Sequence, residues 1–281
     1  NQVENCHPFL RQNNWRTRNL VVAGNFNMTN TDELFDKLVG LGQHPKEKAD
    51  TVTILERIGH FVDVENQRLF DKYKQEGLAN EDISERIADE IDLPTVLKHA
   101  ANSLDGGYVM CGMIGHGDAF VMRDPNGIRP AFFYEDDEVV VITSERPVIQ
   151  TAFNVSTEEV HEIQPGHALI IKRDGTVSMP QVKQPGEQKA CSFERIYFSR
   201  GNDRDIYRER KCLGSTLVPK ILEEIDHDLE NAVFGFIPNT AETAYLGMLE
   251  GLRNFATEDT ATRLMKLIET GDADIEKVRR E

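Results

Sequence analysis

The chain has 281 residues, 39% hydrophobic and 28% charged, with a formal net charge of −16. That composition is globular, with room for about two domains, and it contains neither a bilayer-length apolar run nor a signal-peptide pattern. Its acidity excludes a broad nucleic-acid-binding face, which needs clustered Lys and Arg, but leaves room for a small local anion pocket.

In chain order, an apolar run over 19–24 predicts a strand that stops at Gly24 and leads to a helix over about 31–42. Asn30 with Glu33 forms a capping-box pattern, and Leu34, Leu38 and Leu41 recur at helical spacing. Val52, Leu55, Ile58 and Val62 predict a second helix over 51–62. The charged stretch 64–101 is helical in pattern, with Asn80 and Asp92 as caps and Pro94 in a first turn. From Gly106 the texture changes to short β-type runs at 107–115, 118–123, 131–134, 138–143 and 167–172. Gly-His-Gly, Asp-Pro-Asn-Gly, Asp-Asp, Gln-Pro-Gly and Arg-Asp-Gly punctuate them, as in antiparallel hairpins. Ser144 is placed to cap the helix after 138–143. The first 180 residues therefore predict an α+β unit.

The Pro/Gly-rich stretch 179–189 marks a domain boundary. Beyond it, the pattern predicts a strand at 194–198, a helix near 205–227 and a buried-type strand at 232–238. Asn239-Thr240 then opens an Ala-rich helix, and polar helices follow over 257–281 with a break at Gly271. Strand, tight turn and helix is the grammar of a parallel α/β domain. The acidic residues of 63–92 and 223–281 coat solvated helix faces. Cys6, Cys111, Cys191 and Cys212 lack C-x-x-C spacing and fit reduced thiols of a cytoplasmic protein.

Several motifs bear on chemistry. Gly24-Asn25-Phe26-Asn27 is either a strand-to-helix turn or a set of amides aimed at a reacting carbonyl. Pro125-Asn126-Gly127 forms a tight turn braced by Arg129 with an acidic neighbour. Taken in order, GNFNMTNTDEL, KADTVTIL, RDPNGIRPAFF, ITSER, EEVHEIQPGHALII, CSFERIYFSR with RERKCLG, and GFIPNTAETA resemble glutamine phosphoribosylpyrophosphate amidotransferase, also called amidophosphoribosyltransferase. The similarity covers roughly residues 5–250. DPNGIRP together with CSFERIYFSR separates this family from the synthetases that share its glutaminase fold.

The resemblance implies an N-terminal-nucleophile (class II amidotransferase) αββα sandwich with antiparallel sheets over 1–185, incomplete at its N-terminus. The beginning of an α/β phosphoribosyltransferase domain would follow over 190–281. It implies glutamine hydrolysis coupled to ammonia transfer onto phosphoribosyl pyrophosphate with Mg²⁺, in purine biosynthesis and in a homo-oligomer. Asn25 would supply a side-chain donor and Phe26 a backbone N–H to an oxyanion hole, whose donors are each worth about 2.7–4 kcal/mol. Asn27 and Asp50 would bind glutamine, Asp50 through its α-ammonium, although Asp50 also fits a helix N-cap. The nucleophilic Cys and the carboxylate-clamping Arg are expected upstream of residue 1, and the ribose-phosphate loop beyond residue 281. Two residues depart from the family pattern: Gly24 replaces a His, and Phe26 replaces a Gly where a positive φ would strain Phe. Cys191 falls at one ligand position of a [4Fe–4S] cluster found in some members, or is a buried reduced thiol. GFIPNTAETA is either an anion-binding helix start or an ordinary turn. A catalytically degenerate scaffold, or a transferase fed by free ammonia, are the rival functions.

Overall fold

The computed structural model describes residues 7–269 and divides between Glu194 and Arg195 into two units. In the first unit, β1 (Phe9–Arg11), β2 (Leu20–Met28), β3 (Gly106–Ile114), β4 (Ala119–Arg123), β8 (Ala168–Ile171) and β9 (Val177–Ser178) form an antiparallel sheet in the order β1-β2-β3-β4-β8-β9. A second antiparallel sheet has the order β6 (Val140–Thr143), β5 (Phe132–Glu135), β7 (His161–Glu162).

Strand alternation sorts the layers. Leu20, Val22, Tyr108, Met110, Phe120 and Ile170 bury one face of the larger sheet under helices α1 (Thr31–Gly40), α2 (Asp50–Gln75), α3 (Asn80–Glu90) and α4 (Leu93–Ala101). Val121 and Leu169, from the other face, pack with Ala131, Phe133, Val140 and Ile142 of the smaller sheet. Tyr134 alternates with Phe133 and meets Phe153 of α5 (Arg146–Phe153), so α5 lies outside the smaller sheet. The result is four layers, α-β-β-α, as the resemblance implies.

Several local expectations are corrected. Strand β2 runs through Gly24-Asn25-Phe26-Asn27 to Met28, so these residues are not a turn; the chain turns at Thr29–Asn30. Helix α2 is one helix of 26 residues rather than 51–62, because no Pro interrupts it and Leu69 and Tyr73 continue its buried stripe. Asn30 stands at the N-cap position of α1 and its Nδ2 reaches Glu33 Oε2 at 3.3 Å, but it caps no backbone N–H: its Oδ1 accepts from Asp105 N–H and its Nδ2 also donates to Ser103 O, tying the helix start to the segment before β3. Asn80 is the first residue of α3, not its cap, and its Oδ1 accepts from Lys74. Helix α5 is preceded by Glu145, so Ser144 is not its cap. Asp92 does cap α4, accepting from Thr95 N–H at 3.1 Å, with Pro94 in the first turn. Strands β1, β7 and β9 are two or three residues long, too short for period-two alternation to reveal.

The stretch 179–189 is fastened to the first unit. Val182 and Lys183 N–H donate to Gly166 O, Gly186 N–H to Pro125 O, and Lys189 N–H to Asn126 O.

The second unit is helical. Helix α6 (Arg204–Thr216) meets α8 (Glu242–Glu269) where both backbones carry glycine. A Cβ on Gly214 would lie 1.8 Å from Ala244 O, and one on Gly247 would lie 2.0 Å from Lys211 O. The helix expected over 205–227 ends at Thr216, and α7 (Val218–Glu224) restarts with a proline in its first turn. Val218, Leu222 and Leu252 form its core with Phe234, Met248 and Phe255. The strands expected at 194–198 and 232–238 are not built: Glu194–Phe198 is a π-helical turn, and 232–238 has no regular structure. A β-type run needs a neighbouring strand, and among the described residues this unit has none, leaving Val233 99% and Ile237 84% exposed. Helix α8 continues unbroken past 257 to Glu269; Gly271 lies outside the described residues.

Candidate functional site

The hydrogen-bonding phase of β2 decides what its central residues present. Thr29 N–H donates to Asp105 O and Asn19 O accepts from Gly115 N–H, while the register pairs Asn25 with Val109 and Phe26 with Tyr108. Odd-numbered residues of β2 therefore direct N–H and C=O toward β3, and even-numbered ones direct them the other way. Strand β1 pairs only with Leu20–Val22. The N–H of Phe26 thus points to the sheet edge, where no strand among the described residues pairs with it.

Side chains alternate by the same rule. Phe26 lies on the helical side, against the main core and 5.6 Å from the His7 ring. Asn25 and Asn27 project from the opposite face, and both are exposed. Phe26 sits in regular extended strand and is not among the residues with positive φ, so the strain that a positive φ would bring to Phe does not arise.

A brace lies beside this face, and neither of its two main residues was singled out from the sequence. Asp124, fully buried, accepts Asn126 N–H and Ile128 N–H at 3.0 Å on Oδ1, and Arg129 N–H at 3.1 Å on Oδ2. Arg123 donates from Nε to Arg129 O at 2.7 Å and from Nη1 to Ile163 O at 2.6 Å. These two residues, rather than Arg129, hold the Asp-Pro-Asn-Gly turn. A Cβ on Gly107 would lie 2.7 Å from Ile128 Cγ2, so glycine there lets the loop settle over β3. Burial, aided by nearby Asp124, pushes the Tyr108 hydroxyl far above its ordinary value.

So braced, the loop presents Arg129, whose Nη1 makes a close ion pair with Glu194. Glu194 Oε1 also stands 3.5 Å from Asn25 Nδ2, at the outer limit of a hydrogen bond. The structure thus joins Asn25 to Arg129 through Glu194. The order Asp-Pro-Asn-Gly-Ile-Arg and Cys-Ser-Phe-Glu contained the participants, but nothing in either motif signals their pairing.

Asp50 opens α2 on the helical side of the sheet, and its Oδ1 accepts Thr51 N–H at 2.7 Å. The residue before the helix is Ala49, so Asp50 is not the N-cap. No described contact joins Asp50 to Asn25. Cys111, exposed, pairs with Ala23 on the face that carries Asn25, and its Sγ donates to Ala23 O at 3.3 Å. Cys191 is half-buried beside Ile128, and among the described residues no group of three His, Cys, Asp or Glu side chains is placed to hold a metal. Cys6 lies outside the described residues. At Asn239-Thr240 no strand precedes the helix, and Glu242 places a negative charge in the first turn of α8. The strand–turn–helix anion site is therefore not formed.

No family model matches the chain. It is 26% identical over 251 residues to the amidophosphoribosyltransferase of Archaeoglobus fulgidus, covering 88% of this chain and 46% of that one. It is 28% identical over 215 residues to that of Pasteurella multocida, covering 73% and 38%. The solved glutamine phosphoribosylpyrophosphate amidotransferase of B. subtilis, complexed with ADP and GMP, superimposes with a TM-score of 0.60 at 25% identity, over 89% of this chain and 48% of that one. The chain matches the amidophosphoribosyltransferases over most of its own length, and it spans less than half the length of these relatives. Among the described residues no helix is long and apolar enough to cross a membrane.

Proposed function

We propose that this chain forms the glutaminase layer of an amidophosphoribosyltransferase, in which Asn25 and Phe26 polarise the side-chain amide of glutamine. The observation that carries the reading is the juxtaposition on β2. The Asn25 carboxamide stands on an exposed face, and the adjacent Phe26 N–H points out of the sheet edge without a strand partner among the described residues. Two such donors suit an oxygen that gains negative charge, because fixed dipoles need no reorganisation as the charge develops.

In this reaction a thiolate attacks the amide carbon of glutamine and the carbonyl oxygen becomes an oxyanion held by Asn25 Nδ2 and Phe26 N–H. The proton given up by the thiol passes to the amide nitrogen, so the intermediate collapses to a thioester and releases ammonia, and water then hydrolyses the thioester to glutamate and the free thiol. Ammonia, still neutral, attacks C1 of phosphoribosyl pyrophosphate, displaces pyrophosphate and loses a proton to give phosphoribosylamine; Mg²⁺ accompanying that substrate would offset the charge of the pyrophosphate. Cys111 is not assigned as the nucleophile: its thiol is bonded to a backbone carbonyl, and no described basic side chain contacts it.

The test is glutamate release by the complete protein with and without phosphoribosyl pyrophosphate, in the wild type and in Cys111→Ser. The proposal expects release that Cys111→Ser leaves unchanged. Absence of release in both conditions would favour a scaffold without glutaminase chemistry.

A further inference from the structure

A concavity of about 560 Å³ lies between the end of α4 and the segment after β9. Its walls carry Lys98, His99 and Lys183 together with the amides of Asn102, Gln181 and Gln184, and no carboxylate. In a chain of net charge −16, an acid-free wall with two lysines departs from the general surface.

The ordinary use of Lys98 and His99, in the last turn of a helix, is to satisfy its terminal carbonyls and oppose its dipole. Those carbonyls are already engaged. Arg57 donates from Nε to Ala100 O at 2.7 Å and from Nη2 to His99 O at 3.2 Å, and Leu104 N–H donates to Ala101 O at 3.1 Å. Lys98 makes no ion pair or hydrogen bond among the described residues. The His99 ring stacks on Phe61 at 5.5 Å, which fixes its plane, and its nitrogens have no hydrogen-bond partner among the described residues. Lys183 is half-buried, and one of its ammonium protons goes to Leu104 O, leaving two donors. Burial pushes its ammonium below the ordinary lysine value, so an anion beside it would gain from a partly desolvated charge. Asp105, whose charge reaches Lys183, is engaged by the Thr29 hydroxyl and is not in the wall.

We infer that this concavity is a binding site for a small phosphate ester, with Lys98, Lys183 and His99 on the phosphate and the three amides on the remainder of the molecule. Two lysines and no arginine in the wall favour phosphate over carboxylate, since ammonium groups act as point charges whereas paired carboxylate recognition uses the guanidinium fork. The volume falls in the usual range for small-molecule sites.

The probe is inorganic pyrophosphate, titrated calorimetrically into the chain at constant ionic strength, with citrate as the carboxylate control. The His99 ring signals are followed by NMR in the same titration. Pyrophosphate should bind and shift His99, and Lys98→Gln should weaken binding by about tenfold or more, the loss expected for one charge-assisted contact. Lys98 is exposed and unpaired, so this variant should fold normally; Lys183→Gln serves as a second variant, read only if its circular dichroism is native. No binding, binding that Lys98→Gln leaves unchanged, an unmoved His99, or citrate binding as tightly as pyrophosphate would overturn the inference.

Discussion

Glu194 Oε1 receives two donors, Arg129 Nη1 in a close ion pair and Asn25 Nδ2 at 3.5 Å. The stronger partner fixes the carboxylate, and the weaker contact then orients the carboxamide on an otherwise exposed strand face. A substrate oxygen can displace a bond of this length at little cost, whereas a shorter bond would hold the amide away from its task.

Breaking the pair should destabilise the first unit, since the side chains of Arg129 and Glu194 are 22% and 9% exposed. Arg129→Met and Glu194→Gln should each lose about 2 kcal/mol, less than for a fully buried pair because Arg129 retains solvent. The double variant should lose less than the sum, as a urea-denaturation cycle would measure. Additive losses would mean that the two side chains do not interact in solution.

Replacing Phe26 by glycine, the residue found there in the family pattern, should not raise glutaminase activity, because Phe26 already has an extended backbone. It should cost stability instead. The ring packs against the core and meets His7, so its loss from a half-buried strand site should amount to about 2 kcal/mol. Thermal unfolding and glutamate release, measured together, decide this; higher turnover in Phe26→Gly would show that the ring obstructs the site.

Gly24 tolerates no side chain in this strand pairing. A Cβ there would lie 2.3 Å from Val109 O and 2.9 Å from Met110 Cα, both backbone atoms of β3. Gly24→Ala should lose about 2 kcal/mol or more, and Gly24→His, which restores the family residue, should do worse. A Gly24→His variant with wild-type denaturation would show that β2 and β3 pair differently here.

The α+β character was legible because its elements leave periodic traces, alternation in β2, β3, β4 and β8 and an apolar stripe along α2, whereas the stacking into four layers was implied only by the family resemblance. The caps were less legible. Asn30 has the right type and spacing for a capping box, yet tertiary partners at Ser103 and Asp105 claim its amide. The run 232–238 reads as a strand from composition alone, but strands exist only in pairs, and pairing is not encoded locally. In the site, Asn25 and Phe26 were visible as a motif. Asp124, Arg123 and Glu194 were not, because a carboxylate that gathers backbone N–H groups, or an ion pair between residues 129 and 194, leaves no periodic mark.

Asp118 gives the fold an acid-sensitive point. Its side chain has no solvent exposure, and burial alone would raise its pKa; His116 at 3.1 Å, Lys172 and the Arg173 N–H outweigh that and hold it below the ordinary value. A depressed folded-state pKa means that this stabilisation is complete above the unfolded Asp value of about 3.9 and is lost as pH falls through the folded one. Asp118→Asn should be less stable than wild type at neutral pH, and the gap should narrow in urea titrations carried below about pH 4. A gap independent of pH would assign the loss to packing rather than charge.

The central claim is tested most directly by Asn25→Ala in the complete protein, assaying phosphoribosylamine formation with glutamine and, separately, with ammonium. Glutamine-dependent turnover should fall by about 10²–10³, the cost of one oxyanion donor. Ammonium-dependent turnover and the unfolding midpoint should stay at wild-type values, since Asn25 is exposed and makes one marginal contact. Equal loss with both nitrogen sources would contradict the assignment and make Asn25 a structural residue.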